Sequence, residues 1–141
     1  MKKQTLKIYT DGGSRGNPGP SALGFVVIQN EKTIYKGSRF LGIGTNNEAE
    51  YSALVDSYKW LIGNIKVPKI FDIIFFLDSE LVVKQLNGLY KIKSANLKPY
   101  FFDIKKYEKL LNTQKKYVSI PREQNKLADE LVNKELDKVL Y

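Results

Sequence analysis

Residues 8–20 read Ile8-Tyr9-Thr10-Asp11-Gly12-Gly13-Ser14-Arg15-Gly16-Asn17-Pro18-Gly19-Pro20, a strand followed by a run rich in glycine. Side chains alternate from Leu6 to Thr10 with the two-residue period of a strand, and the Gly, Asn and Pro residues that follow predict no regular element beyond Asp11. Gly12 and Gly13 remove side-chain bulk there, which would let a ligand backbone approach the main chain closely. A polar turn after a first strand fits the same residues, so this stretch alone leaves both interpretations open.

A second acid, Asp78, stands where another strand is predicted to end. Residues 70–77 are apolar and either β-branched or aromatic, as in a strand buried on both faces. If this strand lies beside the first and parallel to it, their carboxyl ends bring Asp11 and Asp78 to the edge where such sheets bind ligands. Taken alone, Asp78 is more simply interpreted as the N-cap of the next helix.

Two predicted helices each carry an acid toward their apolar side. After Thr45-Asn46-Asn47, the 3.6-residue period turns Glu50 toward the apolar side and Glu48 away from it. The last helix repeats this arrangement, with Asp129 beside the apolar side and Glu130 projecting away. The two glutamates could also simply favour the helix dipole. An acid beside an apolar surface is unfavourable without a partner. Four such acids in one domain would be stabilised by sharing divalent cations.

The order of elements predicts an α/β sheet of mixed strand order, in one domain over residues 1–141. Strands are predicted at 6–11, 23–28, 33–41, 70–77 and 117–120, the first three as an antiparallel meander with a hairpin turn at 29–32. Helices are predicted from the cap at 45–47 to 62, and at 80–86, 99–111 and 125–140. Residues 42–44 break the third strand, and 90–98 form a basic connection.

The composition excludes several kinds of chemistry. The chain has no Cys and no His, so disulfides, thiol nucleophiles, zinc sites built on those residues and imidazole triads are all ruled out. Any metal must therefore bind oxygen ligands, which favours magnesium or manganese. The net charge of +8 favours a polyanionic partner, although excess lysine is also common on protein surfaces. No signal peptide or membrane span is evident, so we expect a soluble, cytoplasmic protein.

Four motifs together resemble those of type 1 ribonuclease H, in order and spacing, over nearly the whole chain. They are Tyr9-Thr10-Asp11-Gly12-Gly13-Ser14 with Gly16-Asn17-Pro18-Gly19-Pro20, Thr45-Asn46-Asn47-Glu48-Ala49-Glu50, Asp78-Ser79, and Asn125-Lys126-Leu127-Ala128-Asp129-Glu130-Leu131. The resemblance implies a ribonuclease H-like fold, with three antiparallel and two parallel strands in one sheet flanked by helices. It also implies an endonuclease that hydrolyses the RNA strand of RNA–DNA hybrids and leaves 5′-phosphate and 3′-hydroxyl ends.

The resemblance assigns catalysis and metal binding to four acids, Asp11, Glu50, Asp78 and Asp129. Two magnesium ions, with manganese as a substitute, would replace a His nucleophile or base. One ion lowers the pKa of the attacking water, and the other stabilises the leaving oxygen.

The resemblance also implies contacts with the hybrid. Backbone groups after Asp11, two asparagines and Glu50 would read 2′-hydroxyls, a threonine would hold a DNA-strand phosphate, and two lysines would contact phosphates without sequence preference. These residues are Gly12, Gly13, Ser14, Asn17, Asn47, Thr45, Lys91 and Lys93. Turn or cap chemistry explains Asn17, Thr45 and Asn47 equally well when each is taken alone. A solvated loop is the alternative for the lysines.

The chain departs from many family members because the loop before Asp129 contains no His. Residues 120–125 read Ile120-Pro121-Arg122-Glu123-Gln124-Asn125 and resemble the His-less branch of the family. We take Arg122 and Asn125 of this loop as candidate auxiliary residues. Arg122 would replace the missing His electrostatically, or it is simply a solvated side chain near a helix N-terminus.

Two other functions stay open. One is a non-catalytic module that binds RNA–DNA hybrids, although such a module would have little reason to keep four mutually repelling acids. The other is a broader nuclease that also acts on double-stranded RNA, since the two duplexes share an A-like shape. We expect a monomer with no obligate protein partner.

Overall fold

The computed structural model describes residues 4–65 and 71–139 and forms one sheet from five strands, with helices packed against it. The strands are β1 (Gln4–Ser14), β2 (Gly19–Gln29), β3 (Lys32–Gly44), β4 (Phe71–Leu77) and β5 (Lys115–Ser119). The helices are α1 (Asn46–Asn64), α2 (Glu80–Leu86), α3 (Lys98–Leu110) and α4 (Lys126–Asp137), with a 3-10 turn at Arg122–Gln124. The predicted strand start at Ile70 and helix end at Leu140 lie outside the described residues.

The strand order β3-β2-β1-β4-β5 confirms the predicted mixed sheet. β1 pairs antiparallel with β2, and β2 with β3, whereas β4 lies parallel to both β1 and β5. Tyr9 pairs with Phe76, so Asp11 and Asp78 each lie two residues beyond the same rung of the ladder. The parallel pairing therefore carries both acids to one edge of the sheet.

Two predicted strand ends are wrong, because both strands continue through their glycines. β1 does not stop at Asp11 but runs to Ser14, with Gly12 paired to Leu23 of β2. β3 likewise continues to Gly44, across a register shift at which Gly42 adopts a φ of +84°. A bulge absorbs one extra residue without ending the ladder, and glycine accepts this φ without strain. The glycines shape these strands rather than terminate them.

Helices α1 and α4 cover opposite faces of the sheet. Along β2, Leu23 joins the main core beneath α1, whereas its neighbour Ala22 packs with Val132 and Leu136 of α4. Successive side chains of a strand point to opposite faces, so the two helices sandwich the middle of the sheet. Each helix can therefore present an acid beside the end of β1.

The part of the chain that the structure describes contains no helix long and apolar enough to cross a membrane.

Candidate active site

Gly12 determines where α1 sits against β1. A Cβ atom built on Gly12 would come closer than 3.0 Å to the backbone of Ala49 and Glu50, whereas one on Gly13 would make only ordinary contact with Val132 at 3.6 Å. The sequence predicted that Gly12 leaves room for a ligand backbone. The structure corrects this, because the backbone that approaches Gly12 is that of helix α1. The approach lets the Gly12 N–H donate to Oε1 of Glu50 at 3.1 Å.

Three acids meet at this edge of the sheet. Asp11, Glu50 and Asp78 each offer a carboxylate oxygen within 4.8 Å of the other two. Asp11 and Glu50 are buried, at 6% and 5% exposure, and Asp78 is half-buried. Oε2 of Glu50 is buried without a hydrogen-bond donor among the described residues. Oxygen ligands so arranged can hold a divalent metal ion.

The three carboxyl groups resist ionisation in the protein alone. Burial raises the pKa of Asp11 from 3.8 to about 7, and the charges of Asp78 and Asp129 act in the same direction. Burial and then the charge of Asp11 raise the pKa of Glu50. Burial also raises the pKa of Asp78, against a hydrogen bond from Asn125 and the positive charge of Arg122. A bound cation would favour the ionised forms and reverse these shifts.

Asp129 of α4 and Asn125, the residue just before that helix, approach this cluster. Asn125 is 1% exposed, and its Nδ2 donates to the Thr10 carbonyl at 2.9 Å and to Oδ2 of Asp78 at 3.4 Å. It therefore ties Thr10 of β1 to Asp78. Asp129 lines the same pocket, but its oxygens lie outside the 4.8 Å group, and Asn133 donates to its Oδ2 at 3.3 Å. The structure thus brings three of the four predicted acids within 4.8 Å of one another, and Asp129 lines the same pocket and acts on Asp11 through its charge and a side-chain hydrogen bond.

The sequence matches a known family, and the fold matches that of a solved ribonuclease H. The family described as reverse transcriptase-like matches residues 9–135. The structure of LC11-RNase H1 in complex with an RNA/DNA hybrid is 40% identical, with a TM-score of 0.85, and the match covers 94% of this chain and 97% of that one. The chain belongs to the reverse transcriptase-like family, in its type 1 ribonuclease H branch.

Two curated relatives of the chain are longer than the chain itself. A bifunctional protein of Mycobacterium tuberculosis is 33% identical over 92% of this chain, which spans only 35% of that protein. Ribonuclease HI of Halobacterium salinarum is 36% identical over 92% of this chain, which spans 63% of that enzyme. The chain thus covers about a third and under two thirds, respectively, of these two curated relatives.

An asparagine that the sequence analysis did not single out organises the wall of the ribonuclease H pocket. Asn46 accepts a hydrogen bond from the Ser14 N–H at 2.8 Å through its Oδ1, and its own N–H donates to Oδ1 of Asn17 at 3.0 Å. It links the loop after β1 to the start of α1. Asn46 belongs to the Thr45-Asn46-Asn47 motif, whose cap signal concealed this second role.

The other predicted substrate residues divide into two groups. Asn47 lines the pocket with Gly12, Gly13 and Ser14. Thr45 instead forms a capping box, since its hydroxyl accepts from the Glu48 N–H and donates to the Glu48 carboxylate. Lys91 and Lys93 are exposed and do not line this pocket. Their contact with a ribonuclease H substrate therefore stays a prediction.

The pocket is an open depression of about 440 Å³ at the carboxyl edge of β1 and β4. Arg15 and Arg122 are the two cationic side chains among the described residues that line it. Arg122 belongs to the 3-10 turn before α4 and lowers the pKa of Asp78. Four carboxylates and two guanidinium groups thus face one solvent-accessible hollow.

Proposed function

We propose that this chain is a metal-dependent endonuclease that hydrolyses the RNA strand of RNA–DNA hybrids and leaves 5′-phosphate and 3′-hydroxyl ends. The observation that carries the proposal is the meeting of Asp11, Glu50 and Asp78 within 4.8 Å. Family membership and the hybrid bound to LC11-RNase H1 support the substrate class.

The residues fit divalent ions because every donor is an oxygen and one of them lacks a partner. Asp11, Glu50 and Asp78 would hold the metal, and Asp129, which lines the same pocket, would complete the set of four. We assign two Mg²⁺ ions to the site, with Mn²⁺ as a substitute, because hard cations prefer carboxylate oxygens. When bound, such ions activate water for attack on phosphorus and stabilise the leaving 3′-oxygen.

The chain's own groups orient the acids and the substrate. The Gly12 N–H holds Glu50, and the Asn125 amide holds Asp78. Asn46 fixes the loop that carries Ser14 and Asn17. We assign 2′-hydroxyl recognition to this loop and to Asn47, because they border the acids on the open side of the pocket. A monomeric state and a cytoplasmic location stay predictions from the sequence.

A cleavage assay tests the proposal. Labelled hybrid, double-stranded RNA and DNA duplex are each incubated with Mg²⁺, Mn²⁺ or EDTA, using the parent chain, Asp78→Asn and the matched control Asp103→Asn. Asp103 is an exposed acid of α3 that does not line the pocket. We expect metal-dependent cleavage of the hybrid by the parent and Asp103→Asn, and a loss of at least about a thousandfold in Asp78→Asn.

The other outcomes separate the alternatives. Metal-independent cleavage, or full activity of Asp78→Asn, would falsify the mechanism. Tight hybrid binding by the parent without cleavage would identify a binding module, and equal cleavage of double-stranded RNA would identify a broader nuclease. Thermal melting provides a readout without turnover, because Mg²⁺ should raise the melting temperature of the parent and of Asp103→Asn more than that of Asp78→Asn.

A further inference from the structure

Arg15 lines the acidic pocket, yet neither the motifs nor the metal site gives it a role. It directly follows the last residue of β1, and its N–H donates to the Pro20 carbonyl at 2.8 Å. The preceding residue, Ser14, is held by Asn46. The backbone beneath the guanidinium group is therefore fixed, while its side chain remains 42% exposed.

In the structure this guanidinium group pairs with Asp137, at the end of α4. The Arg15 Nη2 atom donates to Oδ1 of Asp137 at 2.5 Å, through one nitrogen. The Asp137 side chain is 67% exposed. Solvent-exposed ion pairs contribute only about 0–1 kcal/mol, because water and mobile ions screen them. Asp137 therefore orients Arg15 without holding it strongly.

The charges around the pocket favour a phosphate as the competitor of Asp137. An approaching polyanion meets four carboxylates there, and Arg15 and Arg122 are the cations of the described lining. Arg122 precedes α4 and Arg15 contacts its last residue, so the two guanidinium groups flank a helix about 18 Å long. Guanidinium groups bind phosphate oxygens bidentately, more strongly than a single exposed carboxylate contact.

We propose that Arg15 binds a backbone phosphate of the duplex and that Asp137 keeps its side chain at the pocket until that phosphate displaces the carboxylate. The inference rests on the proposed function, because it needs a nucleic-acid duplex in this pocket. It makes Arg15 and Asp137 act in opposite directions on binding. Loss of the arginine weakens the complex, and loss of the aspartate strengthens it.

Another arginine–aspartate pair of the chain supplies matched controls. Arg39 of β3 contacts Asp56 of α1 through two hydrogen bonds of 3.0 Å, and neither residue lines the acidic pocket. Substituting either partner changes the net charge by the same amount as the corresponding change in the proposed pair. The controls therefore separate a local phosphate contact from a general effect of charge on polyanion binding.

Binding is measured by fluorescence anisotropy with a labelled RNA–DNA hybrid and Mg²⁺, in the Asp78→Asn background so that the duplex stays intact. We expect Arg15→Gln to raise Kd about tenfold and to reduce the slope of log K against log salt by about 1. We expect Asp137→Asn to lower Kd by about two- to fivefold, the worth of an exposed pair. Arg39→Gln and Asp56→Asn should stay within about twofold of the background.

Neutral phosphates identify the strand that Arg15 contacts. Hybrids carry one methylphosphonate at successive positions of either the RNA or the DNA strand, and each is tested with the background and with Arg15→Gln. At the contacted phosphate, the Arg15→Gln substitution should lose its effect on Kd. If no single neutral position on either strand removes that effect, Arg15 acts only through overall charge and the proposal is wrong.

The outcomes also separate this proposal from the function on which it rests. Unchanged Kd in Arg15→Gln, or weaker binding by Asp137→Asn, overturns the role of Arg15 and leaves the nuclease intact. Cleavage of the hybrid by the Asp78→Asn background overturns the proposed mechanism instead. Failure of the background and the parent to bind the hybrid contradicts both.

Discussion

Helix α1 contributes to two buried polar clusters, one of carboxyl groups and one of hydrogen-bonded hydroxyl groups. Glu50 faces the acidic edge, and eight residues later, about 12 Å along the helix, Tyr58 faces β4 and β5. At the second cluster the hydroxyl groups of Tyr58 and Tyr117 are hydrogen-bonded, and Tyr117 donates to Oε2 of Glu108 at 2.7 Å. At the first, Oε2 of Glu50 has no donor among the described residues.

The difference between the clusters lies in how each offsets burial. Burial raises the pKa of Tyr58 and Tyr117 far above the ordinary value, so both hydroxyl groups stay neutral. Both are also hydrogen-bonded. Burial raises the pKa of Asp11 and Glu50 as well, but these groups crowd acid against acid. The tyrosine cluster is complete within the chain, whereas the acidic edge is stabilised only when a cation joins it.

The largest effect should come from filling the space at Gly12. Gly12→Ala places a Cβ closer than 3.0 Å to the backbone of α1, so helix and strand must separate. Glu50 then loses the hydrogen bond from the residue 12 N–H. We expect a loss of about 4 kcal/mol or more in the free energy of unfolding, measured by urea denaturation.

Gly13→Ala is the matched control, because its Cβ would meet only Val132 at 3.6 Å. We expect a change within about 1 kcal/mol there. Equal losses in the two variants would show that strand β1 tolerates no side chain at this point, and that the approach of α1 is not the cause.

The second-largest effect distinguishes the acidic edge from the tyrosine cluster by the sign of the change in stability. Removing an acid in Asp11→Asn should stabilise the metal-free protein. The folded-state pKa of Asp11, about 7, exceeds the ordinary 3.8, so the folded state binds its proton more tightly and stability falls as pH rises between these values. In EDTA we expect the free energy of unfolding of Asp11→Asn to exceed that of the parent by on the order of 4 kcal/mol at pH 8 and to equal it near pH 4.

Urea denaturation of both proteins from pH 4 to pH 8 measures this gap. Adding Mg²⁺ at pH 8 should stabilise the parent more than the variant, because the variant lacks one charged ligand. If the difference in the free energy of unfolding does not change with pH, the pKa of Asp11 is the same in the folded and unfolded states. The charges at the acidic edge then do not destabilise the protein.

The sequence predicted the existence of this edge better than it predicted its construction. Strand periodicity, together with the assumption of parallel pairing, placed Asp11 beside Asp78, and helical periodicity separated Glu50 from Glu48. Local patterns could not show that β1 continues past Asp11, because the pairing with β2 that sustains it is not local. For the same reason they gave Gly12 a ligand as its neighbour instead of α1.

The roles of polar side chains were harder to predict than their positions. Asn125 was assigned as an auxiliary residue, but nothing local indicates that its amide reaches Thr10, 115 residues away in the chain. Arg15 and Asp137 are 122 residues apart, and no motif joins them. Contacts of this kind depend on how α4 returns across β1, which is a property of the whole sheet.

A smaller effect should follow from removing one hydroxyl of the tyrosine cluster. Tyr117 donates to Glu108, so its oxygen accepts from Tyr58, and Tyr58→Phe leaves the second hydrogen bond in place. We expect a loss of about 1 kcal/mol on urea denaturation. Tyr117→Phe leaves both Tyr58 and Glu108 without their hydrogen-bond partner and should lower the free energy of unfolding by about 2–3 kcal/mol. The reverse order would contradict this direction of donation, and neither variant should respond to Mg²⁺.

The smallest effect should come from Arg122, the cation whose charge lowers the pKa of Asp78. Removing it in Arg122→Ala should raise that pKa, which moves the acidic limb of the pH–rate profile on hybrid to higher pH. Turnover at pH 7 should fall by about two- to fivefold, since Arg122 is exposed and screened by solvent. Arg39→Ala is the control and should leave both unchanged. If Arg122→Ala also leaves the limb and the turnover unchanged, Arg122 is only a solvated side chain, and the acids and their cations alone set the electrostatics of the edge.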